Sequence, residues 1–261
     1  MNKKLVNFIV KKYLKFDKKN PFISISAILA FVGVAVGVMV LIISMAIMNG
    51  TAKEFERKLF TMNYPLTITS NYKSNLNKEL LNSIEQEFPS LKFSPYISSQ
   101  AIIQSGDNMS GGVIFGVDHK KEAQINDIYA KALKNRDLKK YDLIIGNGIR
   151  RDLYLFRGDK VTLYFTSLNP SGFTMMPKMK RFNYIDSFKS GLHAYDNAYI
   201  YTSLEAMQTI LKKDKNSYDG IHVFSKDAFK DIIKIKEFIG ENYTVIGWWQ
   251  QNGNFFAAMQ M

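Results

Sequence analysis

The sequence contains no cysteine among its 261 residues. That excludes a structural disulfide, a thiolate nucleophile and a cysteine-ligated metal. Histidine is scarce: His119, His193 and His222 are the only three. They are scattered, and no HExxH spacing or close pair describes a metal site. No GxxxxGK[ST] phosphate loop exists, which excludes ATP hydrolysis by that route. Gly146-Asn147-Gly148 follows an apolar stretch, but the second half of a nucleotide fingerprint is missing. A tight turn is the better reading. His193 and Asp196 stand three apart near Ser190, yet no nucleophile-elbow sequence accompanies them. The residue content points to a non-catalytic chain without a cofactor or metal of its own.

Acidic residues are in deficit, 23 against 35 basic ones, for a net charge of +12. A basic chain is often a nucleic-acid binder. Here the excess is unevenly placed. Residues 1–19 hold seven lysines and one acid, Asp17, so they alone carry +6. That half of the excess flanks an apolar segment, which argues against nucleic acid as the partner.

Long hydrophobic runs are missing except for one. No charged side chain occurs from Asn20 to Ala52, and the apolar heart is Ile23–Met48. At about 1.5 Å per residue, 26 helical residues make roughly 39 Å. A hydrocarbon core is about 30 Å thick. Phe, Ile, Leu and Val each favour insertion by roughly 0.3–0.6 kcal/mol, and no ionised residue opposes them. The core is too long for a cleaved signal peptide. It predicts a transmembrane helix over 20–50. The lysines before the span place the N-terminus in the cytoplasm and residues beyond about 50 outside. Membrane lipids are therefore one expected partner.

Residues 3–16 alternate basic pairs with Leu5, Phe8, Ile9 and Tyr13. That pattern predicts a short amphipathic helix in the lipid headgroups, within a segment 1–19. Gly33 and Gly37 make a small-xxx-small face on the span, one turn after Ala30, where another helix can pack closely.

Residues 51–247 read as one α+β domain, with strands and helices interspersed without strict βαβ order. The first helix runs past Gly50 until Asn63-Tyr64-Pro65, because proline disfavours helix at the residue before it. Strands are expected at Leu66–Thr69, Tyr96–Gln104, Val113–Val117, Leu143–Ile145, Val161–Phe165, Arg181–Phe188, Ala198–Tyr201, Ile221–Phe224 and Tyr243–Ile246. Helices are expected at Leu76–Phe88, Asp118–Leu133, Asn147–Leu155, Ser203–Leu211 and Asp227–Ile239.

Two of these strands flank the most distinctive loop, FTSLNPSGFTMMPKMKRF. Pro170 and Pro177 stiffen it, with Gly172 between them. Phe173, Met175, Met176 and Met179 are apolar in a segment expected to be exposed, beside Lys178, Lys180 and Arg181. Such a surface suits protein binding. A loop folded back on its own domain fits the pattern equally well.

Several segments together resemble the LolC/LolE family, the permease subunits of the bacterial lipoprotein-releasing ABC transporter. The likeness extends more distantly to MacB- and FtsX-type permeases. It rests on residues 20–50, 144–163, 170–201 and 248–261. Within them Met48-Asn49-Gly50, Gly158-Asp159, the Pro-Gly-Pro loop and Tyr195-Asp196 are specific in combination.

The resemblance implies a MacB-like periplasmic domain and a chain of four membrane helices. Residues 248–261 would then approach a second span. It implies partners: a LolD-like ATPase subunit carrying ATP and magnesium, a second permease subunit or identical copy, lipoprotein substrates and a LolA-like periplasmic carrier. Residues 166–181 would match the hook that holds the carrier, through Pro170, Gly172, Phe173, Met175, Met176, Pro177, Lys178 and Arg181. Met45, Ile47 and Met48 on the outer half of the span would line an acyl-chain cavity. The stalk from Gly50 to Phe60 would couple helix movement to the domain. Rival readings are a MacB-like efflux permease, an FtsX-like regulator of cell-wall hydrolases and a single-pass ligand-binding receptor.

Overall fold

The computed structural model describes residues 3–13, 21–71, 76–165, 178–251 and 253. The chain forms two compact units, residues 1–56 and 57–261.

The first unit is helical. Helix α1 is Lys3–Tyr13, with Leu5, Phe8, Ile9 and Val10 all exposed. Helix α2 is Pro21–Asn63, 43 residues without a break. Its apolar stretch, Ser24–Thr51, is long and apolar enough to cross a membrane. At about 1.5 Å per residue, those 28 residues measure roughly 42 Å. Thr51 donates its hydroxyl to the carbonyls of Ile47 and Met48, each at 3.0 Å, so the polar group ending the stretch is satisfied within the helix.

The second unit begins within the last turns of α2. Tyr64 takes a left-handed conformation, φ 57°, and Pro65 follows, so the helix stops at Asn63 as its sequence predicts. Then come β1 (Leu66–Ser70), β2 (Leu76–Asn77), α3 (Lys78–Glu87), β3 (Lys92–Ser105), β4 (Asn108–Val117), α4 (His119–Ile125), α5 (Asp127–Leu133) and β5 (Asp142–Gly146). The chain continues through α6 (Asn147–Asp152), β6 (Lys160–Phe165), β7 (Lys178–Phe188), α7 (His193–Asp196), β8 (Tyr199–Ser203), α8 (Leu204–Leu211) and β9 (Ser217–Tyr218). It closes with β10 (Gly220–Phe224), α9 (Ala228–Ile239), β11 (Tyr243–Gly247) and α10 (Trp248–Gln251).

Two sub-structures share β3. The order β11-β1-β10-β3 is antiparallel throughout. With α3 between β1 and β3, and α9 between β10 and β11, this is a split βαβ sheet. Leu66, Ile68, Phe93, Ile221, Val223 and Val245 bury against Leu81 and Ile84 of α3 and Ile232, Ile235 and Ile239 of α9. The outer half of β3 pairs with both β4 and β6. The order β3-β4-β8-β5-β7-β6 therefore returns to β3 and closes a six-stranded ring. Ile103, Ile114, Leu143, Ile145, Leu163, Phe165, Phe182 and Ile200 fill it. The ring is an insertion between the second and third strands of the split βαβ sheet. A third core, with Met62, Tyr129, Leu133, Ile144, Phe188 and Tyr201, lies beneath α5.

Several boundaries differ from the sequence reading. The helix expected over 118–133 is two helices. Asp118 caps the first through the Lys120 and Lys121 amides, and Asn126 interrupts to cap the second through the Tyr129 amide. Most of residues 105–112, which lie between the strands expected to end at Gln104 and begin at Val113, are themselves strand. Gly106-Asp107 is the turn, and Asn108–Gly112 extend β4 because they pair in register with β3. Leu76 is in β2, paired with Tyr218, and Asn77 caps α3.

Candidate functional site

The β6–β7 hairpin carries the loop singled out above. Its register runs from Lys160↔Asn183 to Phe165↔Lys178, so the strands stay paired to the last described residues. Pro170, Gly172, Phe173, Met175, Met176 and Pro177 lie outside the described residues. Lys178 and Arg181 lie within β7, at the stem of the hairpin. Arg181 and Met179 share the exposed face, Met179 at 70% exposure. Lys178 and Lys180 alternate with them, and the Lys180 ammonium sits 4.3 Å from the Tyr141 ring centre. The stem is rooted by Leu163, Phe165 and Phe182 in the ring core.

A charged clamp fixes the other end of that hairpin. Asp186 of β7 is 5% exposed. It accepts from Arg136 at 2.6 Å and Arg157 at 2.8 and 2.9 Å, and pairs with Lys134 at 3.2 Å. Burial alone would raise its pKa. The bonds from Arg136, Arg157, the Ser187 amide and Lys134 outweigh burial and hold it at about 2. Arg157-Gly158-Asp159 is the turn that delivers Arg157. Gly158 has φ 96°, which favours glycine, and its amide bonds the Tyr184 carbonyl at 2.8 Å.

On α2, Met45, Ile47 and Met48 are each more than half exposed. Helical geometry brings together only two of them. Met45 and Met48 share a face, whereas Ile47 is turned about 200° from Met45. Gly33 and Gly37 lie on one face, and a Cβ at either would meet nothing within 4 Å.

The end of α2 supplies a second cluster, which joins residues that the sequence marks only separately. Tyr195 donates its hydroxyl to Asn63 at 2.7 Å. Asp196 accepts from the Ser190 amide at 2.7 Å, the Ser190 hydroxyl at 2.8 Å and the Gly191 amide at 3.3 Å. A Cβ at Gly146 would fall on the Asp196 carbonyl, so glycine there serves close backbone approach. Ser190, His193 and Asp196 do not form a relay, since exposed His193 bonds the Asn197 amide at 2.8 Å.

Beside this junction Tyr64 donates to Glu122, which has no exposure. Tyr64 also lies 3.3 Å from the Tyr201 hydroxyl and accepts from Asn126 at 3.2 Å. His222 stacks on Tyr64, with ring centres 3.6 Å apart, and on Tyr96 at 4.1 Å. Nothing local marks these residues. Glu122 lies in the stretch expected to be helical, and 58 residues separate it from Tyr64.

Comparisons with known proteins add to this geometry. Residues 27–230 match the model of the MacB-like periplasmic core domain. The chain is 24% identical over 257 residues to a lipoprotein-releasing system transmembrane protein LolC of Xylella fastidiosa, covering 96% of this chain and 62% of that protein. It is 25% identical over 236 residues to LolE of Haemophilus influenzae, covering 85% of this chain and 55% of that protein. The chain thus spans about six tenths of the length of these relatives. Among solved structures, the periplasmic region of MacB from Actinobacillus actinomycetemcomitans is 12% identical, with a TM-score of 0.47, covering 73% of this chain and 91% of that one. An apolar helix long enough to cross a membrane precedes an α+β domain. The chain belongs to the MacB-like periplasmic core domain family, and it is similar to relatives of the LolC and LolE type.

Proposed function

We propose that this chain works within a permease subunit of an ABC transporter that releases lipoproteins from a bacterial inner membrane. The observation that carries the proposal is the match to LolC along 96% of the chain. The basic N-terminus faces the cytoplasm, and the α+β domain faces the periplasm. The subunit is non-catalytic. ATP and magnesium are held by a LolD-like partner, and a second permease subunit or an identical copy completes the transporter.

In this scheme Met45 and Met48 face acyl chains between subunits. Extraction costs about 0.8 kcal/mol per CH₂, so three chains need a receiving apolar surface as well as ATP. Gly33 and Gly37 admit a neighbouring helix. The hairpin that includes Pro170, Phe173, Met175, Met176, Lys178 and Arg181 captures a LolA-like carrier. Its stem, rooted in the ring core, is a rigid base for such a contact.

Two measurements test the proposal. Replacing Phe173, Met175 and Met176 together by Ser should cut carrier pull-down at least tenfold while circular dichroism stays unchanged. Undiminished capture removes the hairpin's role. Photo-crosslinkers at Met45 and Met48 should trap lipoprotein more strongly than one at Ile47. Equal or absent trapping, with full expression, removes the acyl-facing assignment and favours a MacB-like permease for other cargo.

A further inference from the structure

The polar cluster under the α2 terminus holds most of the unpartnered buried polar side-chain atoms among the described residues. Among the described residues, six buried side-chain atoms have no hydrogen-bond partner: Asn63 Nδ2, Ser94 Oγ, His119 Nε2, Glu122 Oε2, Asn197 Oδ1 and His222 Nδ1. Four of them belong to residues around the Tyr64 turn, where Tyr64 donates to Glu122 and stacks on His222. Ser94 faces His222 across the β3–β10 register, and Asn63 precedes Tyr64. Glu122 Oε2 and His222 Nδ1 stand 3.8 Å apart, too far for a hydrogen bond and close enough for an ion pair. Buried polar atoms are ordinarily paired, so this concentration asks for an explanation. The backbone adds a second oddity. Tyr64 is an aromatic residue at φ 57°, a conformation costing about 1–2 kcal/mol for a side chain of this kind. Its ring and hydroxyl contacts to His222, Glu122, Asn126 and Tyr201 hold it there.

We propose that Glu122 and His222 form a proton-operated latch on the Tyr64 turn, the point where α2 ends and the sheet begins. In the closed state the imidazole is neutral, wedged between Tyr64 and Tyr96, and Glu122 receives the Tyr64 hydroxyl. A proton taken from solvent onto His222 creates a cation that this dry stack solvates poorly. The ring then leaves the stack, and Tyr64 loses the surface that holds its left-handed turn.

The surrounding groups set the direction. Burial lowers the pKa of His222, and Glu122 pulls it back only in part. Tyr64, Tyr129 and Tyr201 are raised by burial and by Glu122, and Tyr96 is raised by burial and Asp219 to about 12. All four stay neutral at physiological pH. Among the described residues no lysine or arginine ion pair reaches Glu122. The opened chain binds a proton on His222 near its ordinary value of 6.5, before the closed fold does. Closure is therefore complete above about pH 6.5 and weakens as pH falls below it. One proton shifts the opening equilibrium by at most about tenfold per pH unit. His119 titrates in the same direction, since burial lowers it too despite Asp118, Asp142 and Glu122. It bonds the Tyr129 hydroxyl at 2.5 Å and serves as the control.

The test is hydrogen exchange on the full chain in detergent micelles, read on the peptide covering residues 62–68 between about pH 5 and 7.5. After correction for intrinsic exchange, wild type should open more below about pH 6.5, by up to tenfold per pH unit. His222→Phe, which keeps a stacking ring, should flatten this profile, and His119→Phe should not. A flat wild-type profile, or an unchanged slope in His222→Phe, overturns the latch. If His222→Phe fails to fold, a resonance titration of His222 in wild type decides. A midpoint below 6.5 supports the latch, and one at or above 6.5 overturns it.

Discussion

Asp186 and Glu122 are buried carboxylates of the same domain, held in opposite ways. Asp186 sits at the end of the hairpin stem among three cations and a backbone amide. Glu122 sits under the helix terminus among a tyrosine, an asparagine and a histidine that burial keeps neutral. Charge compensation makes the first site a staple across α5, the Arg157 turn and β7, insensitive to ordinary changes of pH. Neutral partners leave the second free to respond to one proton. Where a buried acid is placed matters less than what is placed against it.

Matched isosteres separate the two. Asp186→Asn should have the largest effect. It keeps the shape but leaves Lys134, Arg136 and Arg157 around a neutral amide. A folded-state pKa of about 2 against 3.8 unfolded corresponds to about 2 kcal/mol, discounted because the cations are partly exposed. The sign follows from a depressed carboxylate. The stabilisation is complete above pH 3.8 and is lost as pH falls towards 2. Urea unfolding of wild type and variant should therefore differ near neutrality and converge in acid. A difference under about 0.5 kcal/mol at neutral pH means the clamp is ornamental.

Glu122→Gln should cost less, about 1 kcal/mol, since the amide oxygen still accepts from Tyr64 and no cation is stranded. The same denaturation experiment reads it. A loss as large as that of Asp186→Asn would show that Glu122 faces an unrecognised positive charge, and the contrast between the sites would fail.

Local chemistry explains which features were legible beforehand. Ser203 caps α8 by accepting from the Ala206 amide, and Pro65 stops α2; both signals lie within four residues of their effect. The first strand of the hairpin was visible from the alternation of Val161–Phe165, and its burial pattern follows it; the second begins at Lys178, ahead of the strand expected from Arg181. The break at Asn126 was hidden because the apolar spacing continues through it. Gly111 and Gly112 read as loop, yet pairing with β3 overrides their low strand propensity. The ring inserted into a split βαβ sheet was illegible because β1 pairs with β10 more than 150 residues away. The latch was illegible for the same reason. Tyr64 meets Tyr201 across 137 residues.

The smallest expected effect tests whether the junction is one network or two neighbours. Tyr195 reaches Asn63 from the α7 side, and Tyr64 reaches Glu122 from the next residue along. Tyr195→Phe removes a single half-buried hydrogen bond, worth about 0.5–1 kcal/mol. If the turn behaves as a unit, that loss should add to Glu122→Gln by less than the sum of the two, because either change already loosens residues 63–64. Independent sites would add within about 0.3–0.5 kcal/mol. Full additivity in a double-mutant cycle would confine the latch to Tyr64, Glu122 and His222. It would leave Tyr195 as an anchor of the helix end that no proton controls.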